Sequence, residues 1–255
     1  MGEEIGILMP VKEPHPRFFL QAIRSVLRQT SSDWRLYIIG RGDTSDISSR
    51  LMDVHNERIV VFSQEGEYLA GALNTGMMRA RNRFCCILLG DDMLVDKAVS
   101  VLQYNIDANP AVDFFHSSRH IVDSNGELLF SSKSIDFSSP KQFEEHGAAK
   151  HLLCWRREAS LSIGGIDENV KFHGPDDYDF PWSMADAGFH FKAIPDFLYV
   201  YRDHYDGYRG TTHVPLHVQV DDLRYIFKKH GLSDVEAERQ IAIRKKGYLK
   251  QALFP

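Results

Sequence analysis

Short apolar runs alternate with helically spaced apolar positions through the first part of the chain. Residues 5–9 are apolar and stop at Pro10; beyond Pro14 and Pro16, Phe19, Ala22, Ile23, Val26 and Leu27 recur at helical spacing. Residues 34–39 form a second strand-like run closed by Gly40 and Gly42, and Ile47, Leu51 and Val54 then mark one helix face. Residues 59–62 predict a third strand, 68–81 a helix, 84–89 a fully apolar fourth strand and 96–109 a further helix. Four strand-helix units in a row predict an α/β fold with a mostly parallel sheet flanked by helices, because parallel strands need crossover connections.

The regularity ends at Pro110. Residues 114–122 and 128–130 flank Asn125-Gly126, a two-residue hairpin signal, so antiparallel strands enter here. Short elements follow: strands at 152–155, 191–194 and 198–201, and a helix over 176–187. Residues 216–250 hold two helical stretches separated by Gly231, the second rich in Arg239, Arg244, Lys245, Lys246 and Lys250. The pattern divides the chain into a domain over 1–215, with halves at about 1–110 and 111–215, and a C-terminal helical extension over 216–255.

Composition narrows the partners. The 255 residues, 43% hydrophobic and 25% charged, can bury one sizeable core. A net charge of −5 with no long basic block recruits no nucleic acid. The apolar run at 84–89 is far too short to span a bilayer, and Glu3 and Glu4 stand where a signal peptide carries positive charge, so a cytoplasmic protein is expected. The basic C-terminal helix reads as a solvated face, a partner contact or a peripheral contact with an anionic membrane. Cys85 and Cys86 are strand neighbours facing opposite ways, and Cys154 stands alone, which predicts buried, reduced thiols and no structural zinc.

Candidate chemistry begins with Asp91 and Asp92, which directly follow the fourth strand. Ligands bind outside the carboxyl ends of strands in open α/β sheets, and hard carboxylate oxygens there suit Mg²⁺ or Mn²⁺ completed by substrate phosphates and water. Helix capping is the competing explanation for an aspartate at this place. A second acidic group, Asp176, Asp177 and Asp179, opens the helix expected over 176–187, where the macrodipole alone favours negative charge. His116 and His120 share one side of a strand and read as a polar edge, and Pro215 between His213 and His217 argues against a helical zinc face.

Several segments together resemble the inverting, family-two glycosyltransferases of the GT-A fold. Pro10-Val11-Lys12-Glu13 is similar to that family's first loop, residues 22–30 (AIRSVLRQT) to its first helix, Ala72-Leu73-Asn74-Thr75-Gly76 to its third, and the Asp91-Asp92 pair falls at its Asp-x-Asp position. The likeness runs from about Ile5 to His204. It implies a Rossmann-like central sheet, a smaller antiparallel acceptor-side sheet and C-terminal helices. It further implies nucleotide contacts from Pro10, Val11, Glu13, Gly40, Arg41, Asn74 and Asp91, with Asp92 binding the metal and Asp91 beside it.

The second half carries the remaining likeness. Residues 162–168 (SIGGIDE) and 174–182 (GPDDYDFPW) resemble the family block in which an acidic pair opens a helix and its second acid is the general base, here Asp177. Such a base is needed because an acceptor hydroxyl is a poor nucleophile until a carboxylate takes its proton. Asp176 is expected at sugar or acceptor hydroxyls, with Trp155 or Trp182 as a stacking face unless both are core. Tyr201-Arg202-Asp203-His204 resembles a segment whose histidine approaches the metal, and His213 competes for that role.

The sequence departs from the family at three places. Leu89 replaces the motif's first aspartate, Gly40-Arg41 replaces an aspartate pair that reads the nucleobase, and Leu73 replaces an arginine that contacts phosphate. Asn82 also replaces a turn glycine. The reading that follows is a Mn²⁺- or Mg²⁺-dependent transfer from a nucleotide-sugar donor, UDP-linked by default, to a glycan or lipid-linked acceptor hydroxyl. A degenerate binding module of the same fold is the alternative; a nucleotidyltransferase lacks its glycine-rich basic loop here.

Overall fold

The structure, a computed structural model, describes residues 4–54, 56–145, 149–203 and 214–247. The first half runs β1 (Ile5–Val11), α1 (Pro16–Leu27), β2 (Trp34–Gly40), α2 (Ser45–Arg50), β3 (Ile59–Ser63), α3 (Tyr68–Arg79), β4 (Phe84–Ile87), β5 (Met93–Leu94) and α4 (Ala98–Ala108). The second runs β6 (Phe114–Val122), β7 (Leu128–Ser132), α5 (Gln142–Glu145), β8 (Leu153–Arg156), α6 (Arg157–Ser162), a π-helical turn (Pro175–Asp179), α7 (Phe180–Asp186), β9 (Phe191–Arg202), α8 (Leu216–Lys229) and α9 (Asp234–Gly247).

The strands form one sheet in the order β3-β2-β1-β4-β8-β6-β9-β5, with β7 paired to β6. Strands β3, β2, β1 and β4 are parallel, β8 is antiparallel to both β4 and β6, and β9 is parallel to β6. The sheet is mostly parallel, as expected, and the antiparallel strands belong to it; they do not make a separate acceptor-side sheet. Alternation builds a core on each face. Ile5, Ile7, Met9 and Val11 of β1 face α1 and α4, whereas Leu8 faces α3 and the C-terminal helices.

The hairpin forms as its turn residues predict: Gly126 adopts φ 93, and the Asp123 amide donates to the Glu127 carbonyl. The strands expected at 191–194 and 198–201 are one strand. Its register shifts across Pro195 and Asp196, since proline cannot donate to the ladder; the Ser118 hydroxyl instead donates to the Pro195 carbonyl at 2.8 Å. Asn82, in place of the turn glycine, avoids a left-handed backbone. Its amide accepts from the Tyr37 hydroxyl and donates to the Glu4 carbonyl.

Helices α8 and α9 are not an appendage. Val220, Leu223, Ile226, Phe227, Ala237 and Ile241 join the same core as α3 and α7, so the expected boundary at residue 215 separates no core. Arg244 is buried there, donating to the Tyr178 hydroxyl at 2.6 Å with its guanidinium 5.0 Å over the Phe227 ring. It therefore leaves the basic patch suggested for a membrane surface, of which Arg239 and Lys245 are exposed. Among the described residues no helix is long and apolar enough to cross a membrane. Cys85, Cys86 and Cys154 are free and buried, and burial pushes the Cys85 thiol up to about 12.

Candidate active site

Strand β4 ends at Ile87, and the chain turns through Leu88, Leu89 and Gly90 to the two aspartates. Gly90 is confined: a Cβ there would lie 3.3 Å from Val11 Cγ2 at the end of β1. The two carboxylates have different surroundings. Asp91 is partly exposed, whereas Asp92 is 1% exposed. Asp92 Oδ2 accepts from the Tyr199 hydroxyl at 2.7 Å, and Oδ1 accepts from the Arg202 backbone N–H at 2.6 Å. Burial, then the Asp91 charge, raises the Asp92 carboxyl well above its ordinary value.

Asp92, expected as the metal carboxylate, is thus a buried tie between the turn and β9, with both of its oxygens hydrogen-bonded within the protein. Arg202 completes the tie, donating to the Asp91 carbonyl at 2.9 Å and to Gln21 Oε1 at 2.9 Å. His204, expected as a third ligand, lies outside the described residues, as does His213. Among the described residues no group of three acidic, histidine or cysteine side chains is poised to hold a metal.

The second acidic group stands on the π-helical turn. Gly174 enters at φ 65, and the Asp179 N–H reaches back five residues to the Gly174 carbonyl at 2.9 Å. Pro181 explains the widening: it has no N–H for the Asp177 carbonyl, and its ring would crowd that carbonyl in a regular helix. The wide turn aims neighbouring side chains differently. Asp176 is buried, Asp177 is partly exposed, and Asp179 is fully buried against Lys229 and His230 of the α8 end.

A chain of contacts joins the two acidic turns. Tyr199, which holds Asp92, packs its ring 5.3 Å from that of His151, and His151 Nε2 lies 3.1 Å from Asp176 Oδ2. Burial dominates both members of that pair. It raises the Asp176 carboxyl to about 8, with Asp177 adding to the rise, and lowers the His151 imidazole to about 3. Burial thus favours the uncharged form of each member of the pair, a protonated carboxyl beside a neutral ring.

At the ends of β1 and β2 lies a cavity of about 280 Å³ lined by Lys12, Glu13, Arg41, Asp43, Asp46 and Arg50. Glu13 and Arg41 are exposed there, and the Arg41 N–H donates to the Val11 carbonyl at 3.2 Å, which fixes the mouth between Pro10-Val11 and Gly40. Gly40 has no room for a larger residue, because a Cβ would meet Ile47 Cδ1 at 2.6 Å and Thr44 Cγ2 at 2.7 Å.

Three expected contacts have other work. Asn74, expected at the nucleotide, donates to the Ile166 carbonyl at 2.8 Å and accepts from the Ile166 N–H at 2.8 Å, so its amide clamps the 164–168 loop to α3. Trp155 is fully buried against Phe114 and Phe180. Trp182 is buried with its ring stacked 4.1 Å from His230. Neither tryptophan offers a face to a sugar.

Sequence reasoning missed Tyr199, His151, Arg119 and Lys150 as parts of this region. Tyr199 stood beside a motif already singled out; the other three lie in no pattern, and only the sheet order brings β6, β8 and β9 together.

A mostly parallel α/β sheet with an acidic turn at the carboxyl end of β4 and a second acidic turn facing it is the framework of a GT-A-fold protein. Residues 7–156, more than half of the chain, match the family model of Glycosyl transferase family 2, and the chain belongs to that family. An uncharacterized glycosyltransferase of Methanocaldococcus jannaschii is 24% identical over 207 residues, covering 78% of this chain and 70% of its own. The Escherichia coli UDP-Glc:alpha-D-GlcNAc-diphosphoundecaprenol beta-1,3-glucosyltransferase WfgD is 25% identical over 105 residues, 41% of each. Against an uncharacterized glycosyltransferase of Rickettsia bellii, 27% identical, the match takes in 53% of this chain but only 19% of the relative. The structure of S. aureus TarS 1–349 in complex with UDP-GlcNAc is similar in fold, with TM-score 0.69 at 11% identity over 96% of this chain and 75% of that one.

Proposed function

We propose that the chain is a metal-dependent, inverting glycosyltransferase domain that moves a sugar from a UDP-sugar to an acceptor hydroxyl. The observation that carries the reading is the contact chain from Asp92 through Tyr199 and His151 to Asp176, which sets two acidic turns on one region of the sheet. In this reading Asp177 takes the acceptor proton as the new bond forms. Asp176 and His151, each favoured by burial in its uncharged form, hydrogen-bond sugar hydroxyls without repelling the departing diphosphate. The cavity between Glu13 and Arg41 receives the nucleoside. The UDP-linked donors named for WfgD and for the TarS complex support the choice of nucleotide.

Mn²⁺ or Mg²⁺ fits Asp91, a partly exposed carboxylate at the strand end, with the other ligands coming from phosphates and water. Bound there, the ion supplies Lewis-acid stabilisation of the leaving diphosphate. Asp92 holds the turn from behind. The acceptor, a glycan or lipid-linked hydroxyl, is reached on the Asp177 side, and a cytoplasmic location agrees with a cytosolic nucleotide-sugar supply.

Asp177→Asn tests the reading. With UDP-GlcNAc or UDP-glucose and Mn²⁺, the variant is expected to lose roughly 10²- to 10⁴-fold in turnover, counted as transfer or as donor hydrolysis, while UDP affinity holds. Undiminished turnover in that variant would sink Asp177 as base. A binding module without turnover is the second reading, favoured by Leu73, which is fully buried and leaves the phosphate contact of its family position unmade. Donor hydrolysis by the unaltered protein removes it.

A further inference from the structure

The family match covers residues 7–156, so the π-helical turn and the two C-terminal helices that pack behind it lie beyond it. In that turn the Tyr178 and Asp179 N–H groups share one acceptor, the Gly174 carbonyl, at 3.2 and 2.9 Å. A π-helical winding is the less favoured one, and side chains hold it in place. Asp176 meets His151, Asp179 meets Lys229 and His230, and the Tyr178 ring joins the core beneath. Asp177 stands among these tied residues and stays partly exposed.

Tyr178 is pinned at its tip. Its hydroxyl donates to the Phe143 carbonyl of α5 at 2.5 Å and accepts from Arg244 Nη2 of α9 at 2.6 Å. Arg244 is 6% exposed and pairs with no carboxylate among the described residues. Its remaining hydrogen bonds go to the Glu144 carbonyl at 3.4 Å and Gln240 Oε1 at 3.3 Å, and its guanidinium lies over the Tyr178 and Phe227 rings at 5.2 and 5.0 Å. A buried cation without a counter-charge is costly, and a methionine would fill the space without that cost, so packing alone does not account for it. What the guanidinium adds is a charge-assisted hydrogen bond to a phenol whose own proton is already committed, which fixes the ring from two sides. The backbone of Tyr178 follows directly on Asp177, so a ring that shifts takes that carboxylate with it. A displacement of about 1 Å at a reacting group costs on the order of a hundredfold in rate.

We propose that Arg244, acting through the Tyr178 hydroxyl, is a positioning residue for Asp177, so that helix α9 completes the active site from behind. That Asp177 is the base rests on the glycosyltransferase reading; the tether from α9 to the turn does not.

Steady-state turnover of UDP-GlcNAc or UDP-glucose with Mn²⁺, and amide hydrogen exchange over residues 172–182, test the tether on the whole chain. The variants are Arg244→Met, Arg244→Lys, Tyr178→Phe and the double variant of Arg244→Met with Tyr178→Phe. Each of Arg244→Met and Tyr178→Phe is expected to lower kcat about tenfold or more while donor KM stays within about twofold, and Arg244→Lys to recover part of the loss. The double variant should be no slower than the slower single one, because both remove the same contact. Tyr178→Phe keeps the ring and carries the test if Arg244→Met does not fold. Exchange over 172–182 should quicken in these variants while that of β1 and β4 holds. Unchanged kcat in the folded single variants overturns the proposal, whatever their melting temperatures, since a merely structural arginine would move stability alone. Losses that multiply in the double variant overturn it equally. If the unaltered chain turns over no donor, the glycosyl-transfer reading fails by itself, and exchange decides the tether: faster exchange confined to 172–182 upholds it, and unchanged exchange there removes it.

Discussion

The Tyr199 hydroxyl donates to Asp92 Oδ2 at 2.7 Å, and this contact ties the carboxyl end of β4 to β9. With the Arg202 N–H on the other oxygen, Asp92 is an internal strut while Asp91 remains at the surface of the turn. The two aspartates should therefore part company on mutation. Asp92→Ala is expected to destabilise the protein by about 2–3 kcal/mol, since it strands a buried hydroxyl and a buried N–H. Asp91→Asn should leave the urea midpoint within the scatter of surface substitutions and abolish the Mn²⁺ dependence of turnover. If instead Asp92→Ala unfolds at the same urea concentration as the unaltered chain, the strut is wrong.

The Asp176–His151 pair fixes a pH signature. Asp176 moves from an ordinary 3.8 to about 8, so between those values the native state holds a proton the unfolded chain has released, and this group's contribution to stability falls as pH rises. His151 moves from 6.5 to about 3, so between those values the native state holds fewer protons, and its contribution rises with pH. The slopes oppose each other below pH 6.5 and leave that of Asp176 alone between 6.5 and 8. Asp176→Asn keeps a hydrogen-bonding group beside His151 but does not titrate. Its urea midpoint should drop less than that of the unaltered chain on going from pH 6.5 to pH 8. Parallel pH profiles for the two proteins would contradict the assignment.

Periodicity was enough to read the first half, because strand and helix patterns there are long, alternate strictly and end at proline or glycine. The fourth strand is the instructive error: residues 88–89 continue its apolar run, and the Leu88 N–H still donates to the Leu8 carbonyl at 3.0 Å, but regular pairing ends at Ile87 and the backbone then turns to place Asp91 and Asp92. Hydrophobicity recorded their burial and not their geometry. Within the site, position in the fold decided what residue type could not. Asp91 and Asp92 are chemically identical, and only Tyr199 and Arg202, more than a hundred residues away, distinguish them. Trp155 and Trp182 carried the same ambiguity, resolved by the aromatic cluster around them. Arg119 was invisible because a lone arginine in a strand has no local signature.

Asn74 sits on α3 with its amide spent on both backbone groups of Ile166, and Gly165 is pressed against it: a Cβ there would lie 2.5 Å from Asn74 Oδ1. Glu168, at the end of the same loop, accepts from the Glu67 N–H at the start of α3. The loop therefore docks as a unit ahead of the π-helical turn. Asn74→Ala should cost about 2 kcal/mol through two unmet backbone groups, while UDP affinity measured by calorimetry stays unchanged. A large loss of UDP affinity in a folded Asn74→Ala protein would return this residue to the nucleotide site.

Asp179 anchors the turn that carries Asp177 from below. Its carboxylate is fully buried, accepting from Lys229 Nζ at 2.7 Å and facing His230 Nε2 at 3.0 Å, while His230 Nδ1 meets Asp186 at 2.6 Å. The end of α8 thus grips both the π-helical turn and α7, and Lys229 is raised above its ordinary range despite burial because Asp179 and Asp167 outweigh the desolvation. Lys229→Met leaves a buried carboxylate half paired, which should cost about 3 kcal/mol, the low end for breaking a buried pair because Lys229 keeps some solvent access. Adding Asp179→Asn should recover part of that loss, since the charge needing compensation has gone. Because Asp177 is two residues away on the same turn, kcat should fall with the single substitution more than KM rises. Strictly additive urea stabilities for the two substitutions would show that Lys229 and Asp179 do not act as a pair, and the positioning role given to α8 would go with them.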